Sequence, residues 1–450
     1  MPRNHSRRGP LPRPSVSFDD PTVTRFSGLL PLIRFLENTL RLPDALKPHG
    51  CKTDRRRDFQ VNRVHFALIV ASLAGISRLA HLDLLRDDRG LHLALRQPRL
   101  PSRKVYSSSL NEASDLMIQQ LTNLVASLGA QTIPASSSYI LDFDNTSLVA
   151  HGSQEGTEFG YCGKGRRRRR YLPIVAAYGD GGAVANVDFR DGSSMTSREQ
   201  MRFVHATIAK TTALRKAGPT AIRMDSGFFS RSALEDLTEK KISFAMVHPM
   251  NTRLKLFLWK TQMTELEGDP DIELGEIDGA PMGYPEGTRV VVIRRAVHDR
   301  KAPPQGKKVN FDPHGRYQAI ITNLESDYDA YDVWNFYNHR ARCERVFRDG
   351  KQALGMGHLV SHSRRGNETA FLLRLIAYNA DILFQQAAER AAREHGEKVV
   401  RMGLEYRQSR FYNLAGRLVQ RRGSWVLRLP PNPRLKKLFR FYAYDLRVNG

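Results

Sequence analysis

Residues 139–149 read YILDFDNTSLV, a run of β-formers that ends in Asp142 and Asp144 with Asn145 and Thr146 behind them. Side chains alternate along a strand, so the two aspartates share one face. Such a pair at a strand end suits three uses. In a phosphatase built on D-x-D-x-T, one carboxylate is the nucleophile and the other the acid/base. In a metal-dependent nuclease, a strand-borne carboxylate holds a divalent cation. In the plainest case the aspartate caps a turn.

The segments that follow separate the first two uses. YLPIVAAYG and AVANVDF are further strands with short connections, and the helix SREQMRFVHATIAKTTALRKAG comes next. A fourth strand, AIRMD, ends at Asp225, a helix starts at SRSALEDLTEKK, and ISFAMVH is a fifth strand. The order β-β-β-α-β-α-β is that of a ribonuclease-H-like core, whereas a doubly wound phosphatase alternates βαβ from its first strand. The expected fold class is therefore α/β. The core would occupy 131–249, be interrupted by a β-rich insertion at 250–325 (TRVVVIRRAV, YQAIITNL), and resume at 326–395.

Ahead of the core, LLPLIRFLENTL and VNRVHFALIVASLAGI carry apolar residues at i, i+3 and i+4, which makes 28–130 an all-α N-terminal domain. Within it, Ser102 stands where it can cap a helix opening with Arg103 and Lys104, and Ser107 and Ser108 follow on that helix. This basic helix could meet a major groove or be an ordinary solvated surface helix. Five prolines and five arginines in the first 25 residues mark 1–27 as a disordered basic arm. The region 396–450 holds 13 Lys or Arg against 3 Asp or Glu.

With 70 Lys plus Arg against 46 Asp plus Glu, the chain carries a formal charge of +24, the footprint of a nucleic-acid binder. Its longest apolar run, Phe66–Ile76, is too short to cross a bilayer, so no membrane partner is expected. Cys51, Cys162 and Cys343 form no C-x-x-C pair, which argues against zinc or a disulfide framework and for a reducing cytoplasm. The basic N-terminus lacks the apolar stretch of a signal peptide.

The segment Tyr337–Lys351, YNHRARCERVFRDGK, carries the chemistry. On one continuous helix, Tyr337, Arg340, Glu344 and Lys351 fall within about 60° of arc, beside an apolar stripe of Phe336, Cys343, Phe347 and Leu354. Such a stripe alone is a common solvated salt-bridge ladder. Its spacing, Y-x2-R-x3-E-x6-K, resembles the Tyr-Arg-Glu-Lys signature of DDE cut-and-paste transposases from bacterial insertion sequences. With GISRLAHLDLLRDDRGLHLAL, LDFDNTSLVAHGSQEGTEFGY, RMDSGFF and YQAIITNL, the chain from about Gly28 to its last helices resembles the family named after insertion sequence 1380.

The resemblance implies that Asp144, Asp225 and Glu344 are the catalytic, metal-holding triad for two Mg²⁺ ions, with Mn²⁺ as substitute. Asp142 shares the face of Asp144 and is either a supporting residue or the ligand itself. Asp225 has a second reading as a turn or N-cap residue. Tyr337, Arg340 and Lys351 would contact phosphates at the cleaved end, with Arg223 a weaker phosphate candidate. Arg166, Arg167 and Arg168, in a run to Arg170 between the first two strands, are either a clamp on the DNA backbone or a solvated hairpin cluster. Trp259 would hold a flipped base or be core, and Trp334 reads as packing. The partners implied are the terminal inverted repeats of the element, target DNA, and a second copy in a synaptic homodimer, in a cytoplasmic, nucleoid-associated setting.

Two rivals stand beside this reading. An end-binding relative could keep the fold without cleavage. A haloacid-dehalogenase-type phosphatase needs an apolar residue after Thr146 and a later acidic pair, yet Ser147 follows the threonine and no carboxylate answers Gly179-Asp180.

Overall fold

The computed structural model describes residues 17, 19–48, 59–162, 166–179, 181–193, 195–297, 312, 314–399, 401–422 and 424–443. Most of the arm expected over 1–27, Cys51, and residues 444–450 lie outside them.

After the short strand β1 (Val23–Thr24), the chain is helical through α1 (Leu29–Arg34), α2 (Leu42–Ala45), α3 (Val61–Leu73), α4 (Asp83–Arg86), α5 (Arg89–Ala94), α6 (Arg103–Asn111) and α7 (Asp115–Gln131). The stretch with Asp142 and Asp144 folds as β2 (Ile140–Asn145). Three short strands follow, β3 (Leu148–Val149), β4 (Glu158–Tyr161) and β5 (Arg167–Tyr171), and pair with one another as a small antiparallel sheet. Then come β6 (Ile174–Tyr178), β7 (Val184–Asp188), α8 (Ser197–Arg215), β8 (Ala221–Met224), α9 (Arg231–Glu239) and β9 (Phe244–Val247). Helix α8 starts at a capping box: the Thr196 hydroxyl accepts from Glu199 N at 3.3 Å, and the Glu199 carboxylate accepts from Thr196 N at 2.8 Å.

The β-rich segment supplies α10 (Thr252–Leu258), β10 (Thr264–Leu266), β11 (Asp269–Asp278), β12 (Arg289–Ala296) and β13 (Gly315–Thr322). These strands extend the main sheet, because β13 pairs antiparallel with β9. The described nine-stranded sheet therefore runs β10-β11-β12-β13-β9-β8-β2-β6-β7. Strand β2 is antiparallel to β6 and parallel to β8, and β8 is parallel to β9.

Period-two alternation sorts the side chains. Leu141, Phe143, Ile222, Met224, Phe244, Met246, Val290 and Val292 point to one face, where Val204, Leu234 and Leu254 of α8, α9 and α10 cover them. The opposite face is covered by two apolar clusters. Helix α11 (Ala330–Asn338) packs Val333 and Trp334 on Ala245, Val291, Ile293 and Ile320. Helices α7 and α13 (Arg364–Glu394) cover Val175, Ala177, Val184 and Val187 and join the N-terminal helices in one core. Strands β2 and β8 lie between these clusters, and there the face is polar: Asp142 and Arg223 occupy the seam.

The segment Tyr337–Lys351 does not lie on one continuous helix. Instead α11 ends at Asn338 and α12 (Ala341–Ala353) begins after Arg340. The join is tightened, with Arg340 N bonded to Tyr337 O at 2.9 Å and Cys343 N to Arg340 O at 2.8 Å. The cause is packing, since α11 is committed to one apolar cluster while Cys343, Val346 and Phe347 of α12 belong to the other. The single polar stripe of the sequence reading therefore does not exist, and Tyr337 is buried against the first cluster.

The sheet edge at β7 is closed by one side chain. Asn379 of α13 accepts from Val184 N at 2.8 Å and donates to Val184 O and to Val125 O of α7, both at 2.9 Å. An edge strand is thereby tied to the helical layer rather than left as a template for another chain. Gly129 permits the approach, because a Cβ there would lie 2.0 Å from Val184 O.

The basic C-terminal part folds back onto α13. Helix α14 (Leu404–Arg407), strands β14 (Gly416–Arg421) and β15 (Ser424–Arg428), and helix α15 (Pro433–Tyr442) follow, with β14 pairing β1 as well as β15. Buried Arg407 forms an ion pair with Asp381 of α13, and Tyr412 donates to the same carboxylate at 2.7 Å.

Candidate active site

The parallel register of β2 and β8 pairs Asp142 with Arg223 and Phe143 with Met224. One residue further on, Asp144 and Asp225 therefore stand side by side at the carboxyl ends of neighbouring strands, whose axes lie about 4.8 Å apart. Crevices at such strand ends are where open sheets bind ligands. The capping use of Asp225 is realised, since its Oδ1 accepts from Gly227 N at 3.0 Å, and its remaining lone pairs are not used by that bond.

Helix α12 lies across this end of β2 and is pinned at both of its own ends. Arg340, buried just before its first turn, donates to Phe143 O and approaches Asp144 Oδ1, both at 3.2 Å. Lys351 in the last turn donates to Ser147 O at 3.3 Å. Glu344 projects from the first turn as an exposed side chain, and its charge reaches Asp144. So Tyr337, Arg340, Glu344 and Lys351 do meet around Asp144 and Asp225, through two helices and a turn.

The electrostatics record that crowding. Burial first, then the charges of Asp225 and Glu344, push the Asp144 carboxyl up to about 6, against the pull of Arg340. Burial pushes the Tyr337 hydroxyl up to about 12, with Arg340, Asp225 and Asp144 all acting on it. Burial pulls the Lys351 ammonium down, and Asp144 pushes it back up.

Asp142 is a different kind of group. Arg223, 1% exposed, holds it in a bidentate pair at 2.6 and 2.9 Å and donates a third bond to Phe336 O of α11 at 2.6 Å. The Phe336 ring lies 5.1 Å beneath the guanidinium. Neither residue is open to a metal or a phosphate, which corrects the reading of Arg223 as a phosphate contact. The same enclosure removes the nucleophile of the phosphatase reading, which needs the first aspartate of DFDNT exposed.

Among the described residues, no three or more His, Cys, Asp or Glu side chains are arranged to hold a metal ion. By donor type and mutual charge, Asp144, Asp225 and Glu344 fit a hard divalent cation, which prefers oxygen ligands. In this arrangement Arg340 supplies the positive charge at Asp144.

The other residues singled out from sequence lie elsewhere. Arg103 and Lys104 are exposed on the first turn of α6, in the helical layer, and Ser102 stands at its N-cap without a side-chain bond. Trp259 ends α10 on the opposite face of the sheet and is 74% exposed, so it is not core. Trp334 packs as expected, with Arg295 over its ring at 5.4 Å. Arg166, Arg167 and Arg168 are exposed, the latter two on β5, a strand rather than a connection. Arg170, expected at the end of the same exposed run, is instead buried and donates to Ser147 Oγ at 2.8 Å, on the same loop that Lys351 holds. Gly160 makes room for it, because a Cβ there would lie 2.3 Å from its Nε.

A family model described as transposase DDE domain group 1 matches residues 13–448. No curated protein matches the chain. A solved structure described as the cryo-EM structure of the piggyBac transposase synaptic complex with hairpin DNA is similar at a TM-score of 0.42 and 12% identity, over 87% of this chain and 81% of that one.

Proposed function

Because the chain belongs to the family of transposase DDE domains, group 1, we propose that it is a cut-and-paste DNA transposase of a bacterial insertion sequence, of the group named after insertion sequence 1380. The observation that carries this reading is the placement of Asp144 and Asp225 at the ends of adjacent parallel strands under the helix of Glu344. The strand order β7-β6-β2-β8-β9, with its directions, supports a ribonuclease-H-like core.

Asp144, Asp225 and Glu344 would hold two Mg²⁺ ions, or Mn²⁺ in their place, which supply activation of the attacking oxygen and stabilisation of the leaving one. The chain's own side chains then position the phosphodiester. Arg340 and Lys351, anchored to Phe143 O and Ser147 O, bring two cations to the scissile phosphate. Tyr337 keeps its proton through the neutral range and donates to a phosphate oxygen. Water attacks phosphorus and breaks the bond to the 3′ oxygen, leaving a 3′-hydroxyl and a 5′-phosphate. That hydroxyl then attacks the opposite strand or the target, displacing another 3′ oxygen.

Arg103 and Lys104 would meet the inverted repeat, Arg166, Arg167 and Arg168 would meet flanking or target backbone, and Trp259 would stack on a displaced base. Two copies would pair two ends. The protein would work on the nucleoid in the cytoplasm; among the described residues no helix is long and apolar enough to cross a membrane. The test is cleavage of a labelled duplex bearing the element's terminal repeat. Nicking at the repeat boundary that needs Mg²⁺ and is lost in Glu344→Gln supports the reading. Specific binding without cleavage by wild type would instead identify an inactive end-binding relative.

A further inference from the structure

The small sheet beside the carboxylates has a built outer face whose aromatic side chains the proposed reaction leaves without a role. Phe159 and Tyr161 stand two apart on β4, so both point to one side, and they are 62% and 60% exposed. Directly across the ladder, Phe159 pairs with Arg169 and Tyr161 with Arg167, on the same side. Arg169 lies over the Phe159 ring at 5.1 Å. The reverse side of β4 is tied down, with Gly160 resting on the guanidinium of Arg170 and Arg170 bonded to Ser147. Two large rings are thus held open to solvent by design of the strand, each beside a cation.

The end of β4 borders the candidate active site. A cleft of about 640 Å³ is lined by Tyr161 at the end of β4, by Arg170 from the reverse side of the small sheet, and by Asn145, Ser147, Gly227 and Lys351. Asn145 and Gly227 lie within two residues of Asp144 and Asp225, so the cleft leads from the end of β4, beside the aromatic face, to the strand ends that carry the carboxylates.

We propose that β4 and β5 form a platform for an unpaired DNA strand leading into the cleft, with bases stacked on Phe159 and Tyr161 and phosphates on Arg167 and Arg169. The inference rests on the transposase reading for its choice of DNA. The chemistry selects unpaired over duplex DNA. A duplex hides the faces of its bases and offers a platform only phosphates, for which the arginines alone would serve. Exposed rings at alternate strand positions match splayed bases one by one, and stacking is tolerant of sequence. The strand accommodated is the one that separates from its complement when an end is opened at Asp144 and Asp225.

The test is fluorescence anisotropy of a labelled single-stranded oligodeoxynucleotide, its blunt duplex and the RNA of the same sequence, with the full-length chain. F159S/Y161S changes only exposed side chains, and R167S/R169S removes the paired cations. The single strand is expected to bind the wild type, and F159S/Y161S to weaken it by on the order of tenfold or more. Duplex binding by that variant should be unchanged. R167S/R169S is expected to weaken both and to flatten the salt dependence. Equal single-strand affinity in F159S/Y161S, tighter binding of RNA than of DNA, or no single-strand binding by wild type would each overturn the proposal. Metal-dependent nicking measured alongside separates the two ideas: wild type that nicks while F159S/Y161S binds normally removes the platform alone. Wild type that never nicks, with single-strand binding lost in F159S/Y161S, leaves the platform and removes the transposase reading.

Discussion

Arg223 and Asp142 form an enclosed bidentate pair directly behind Asp144 and Asp225, in the polar seam between two apolar clusters. The pair does more than cancel two buried charges. Its third bond, to Phe336 O, fixes the end of α11 and with it the turn that delivers Arg340 and Glu344. Removing one partner leaves the other charge buried, so Asp142→Ala and Arg223→Met should each cost about 3–5 kcal/mol. The double variant should cost clearly less than their sum. Urea unfolding of all four forms measures this coupling, and additive losses would argue against a pair.

Asn379 bonds three backbone groups, Val184 N, Val184 O and Val125 O, and ties β7 to α7. Asn379→Leu keeps the volume but strands Val184 N and Val184 O, whereas Val125 O keeps its bond within α7. We expect a loss of about 2–4 kcal/mol, since each unsatisfied buried group costs about 1–3 kcal/mol and partial relaxation recovers some. Hydrogen exchange at the Val184 amide should quicken well beyond the global effect.

His65 of α3 is fully buried against Ser109 of α6, at 3.1 Å, and burial lowers its pKa to about 4. The folded state therefore prefers neutral imidazole. This contribution is complete above pH 6.5, the ordinary value, and is lost as pH falls from there to about 4. It amounts to up to about 3 kcal/mol. Unfolding midpoints measured between pH 7 and 4 should show a loss that His65→Leu flattens across that window.

Metal should stabilise the folded chain through the three carboxylates. At Mn²⁺ a hundredfold above its Kd, linkage gives about 2.7 kcal/mol, an upward Tm shift of a few degrees. Ca²⁺ or Mn²⁺ should give no such shift in Asp225→Asn, whose amide still accepts from Gly227 N and so keeps the turn. An unchanged shift in that variant would place the metal elsewhere.

Much of this architecture is legible in the sequence because it is local. ISFAMVH and TRVVVIRR are short apolar runs rich in β-formers, and the capping box at Thr196 announces α8. Asp144 and Asp225 stand out because each ends an apolar run. What is hidden depends on distant partners. Nothing near Arg166–Arg170 marks a strand, because β5 is held by β3 and β4 rather than by an apolar face. The break at Arg340 arises from two clusters that meet only in the folded sheet. The roles of Asp142 and Arg223 follow from a register linking residues 81 apart. The charge pattern suggested a phosphate contact where folding makes an internal clamp.

The most direct test of the account is the position of bound metal. Crystals of the full chain with its terminal-repeat duplex, soaked in Mn²⁺, would be measured at the manganese absorption edge. Anomalous peaks are expected within ligand distance of Asp144, Asp225 and Glu344, with the Glu344 side chain turned in from solvent. A peak elsewhere, or Arg340 still paired with Asp144 and no metal beside it, would contradict the assignment of these carboxylates to the cleavage of DNA.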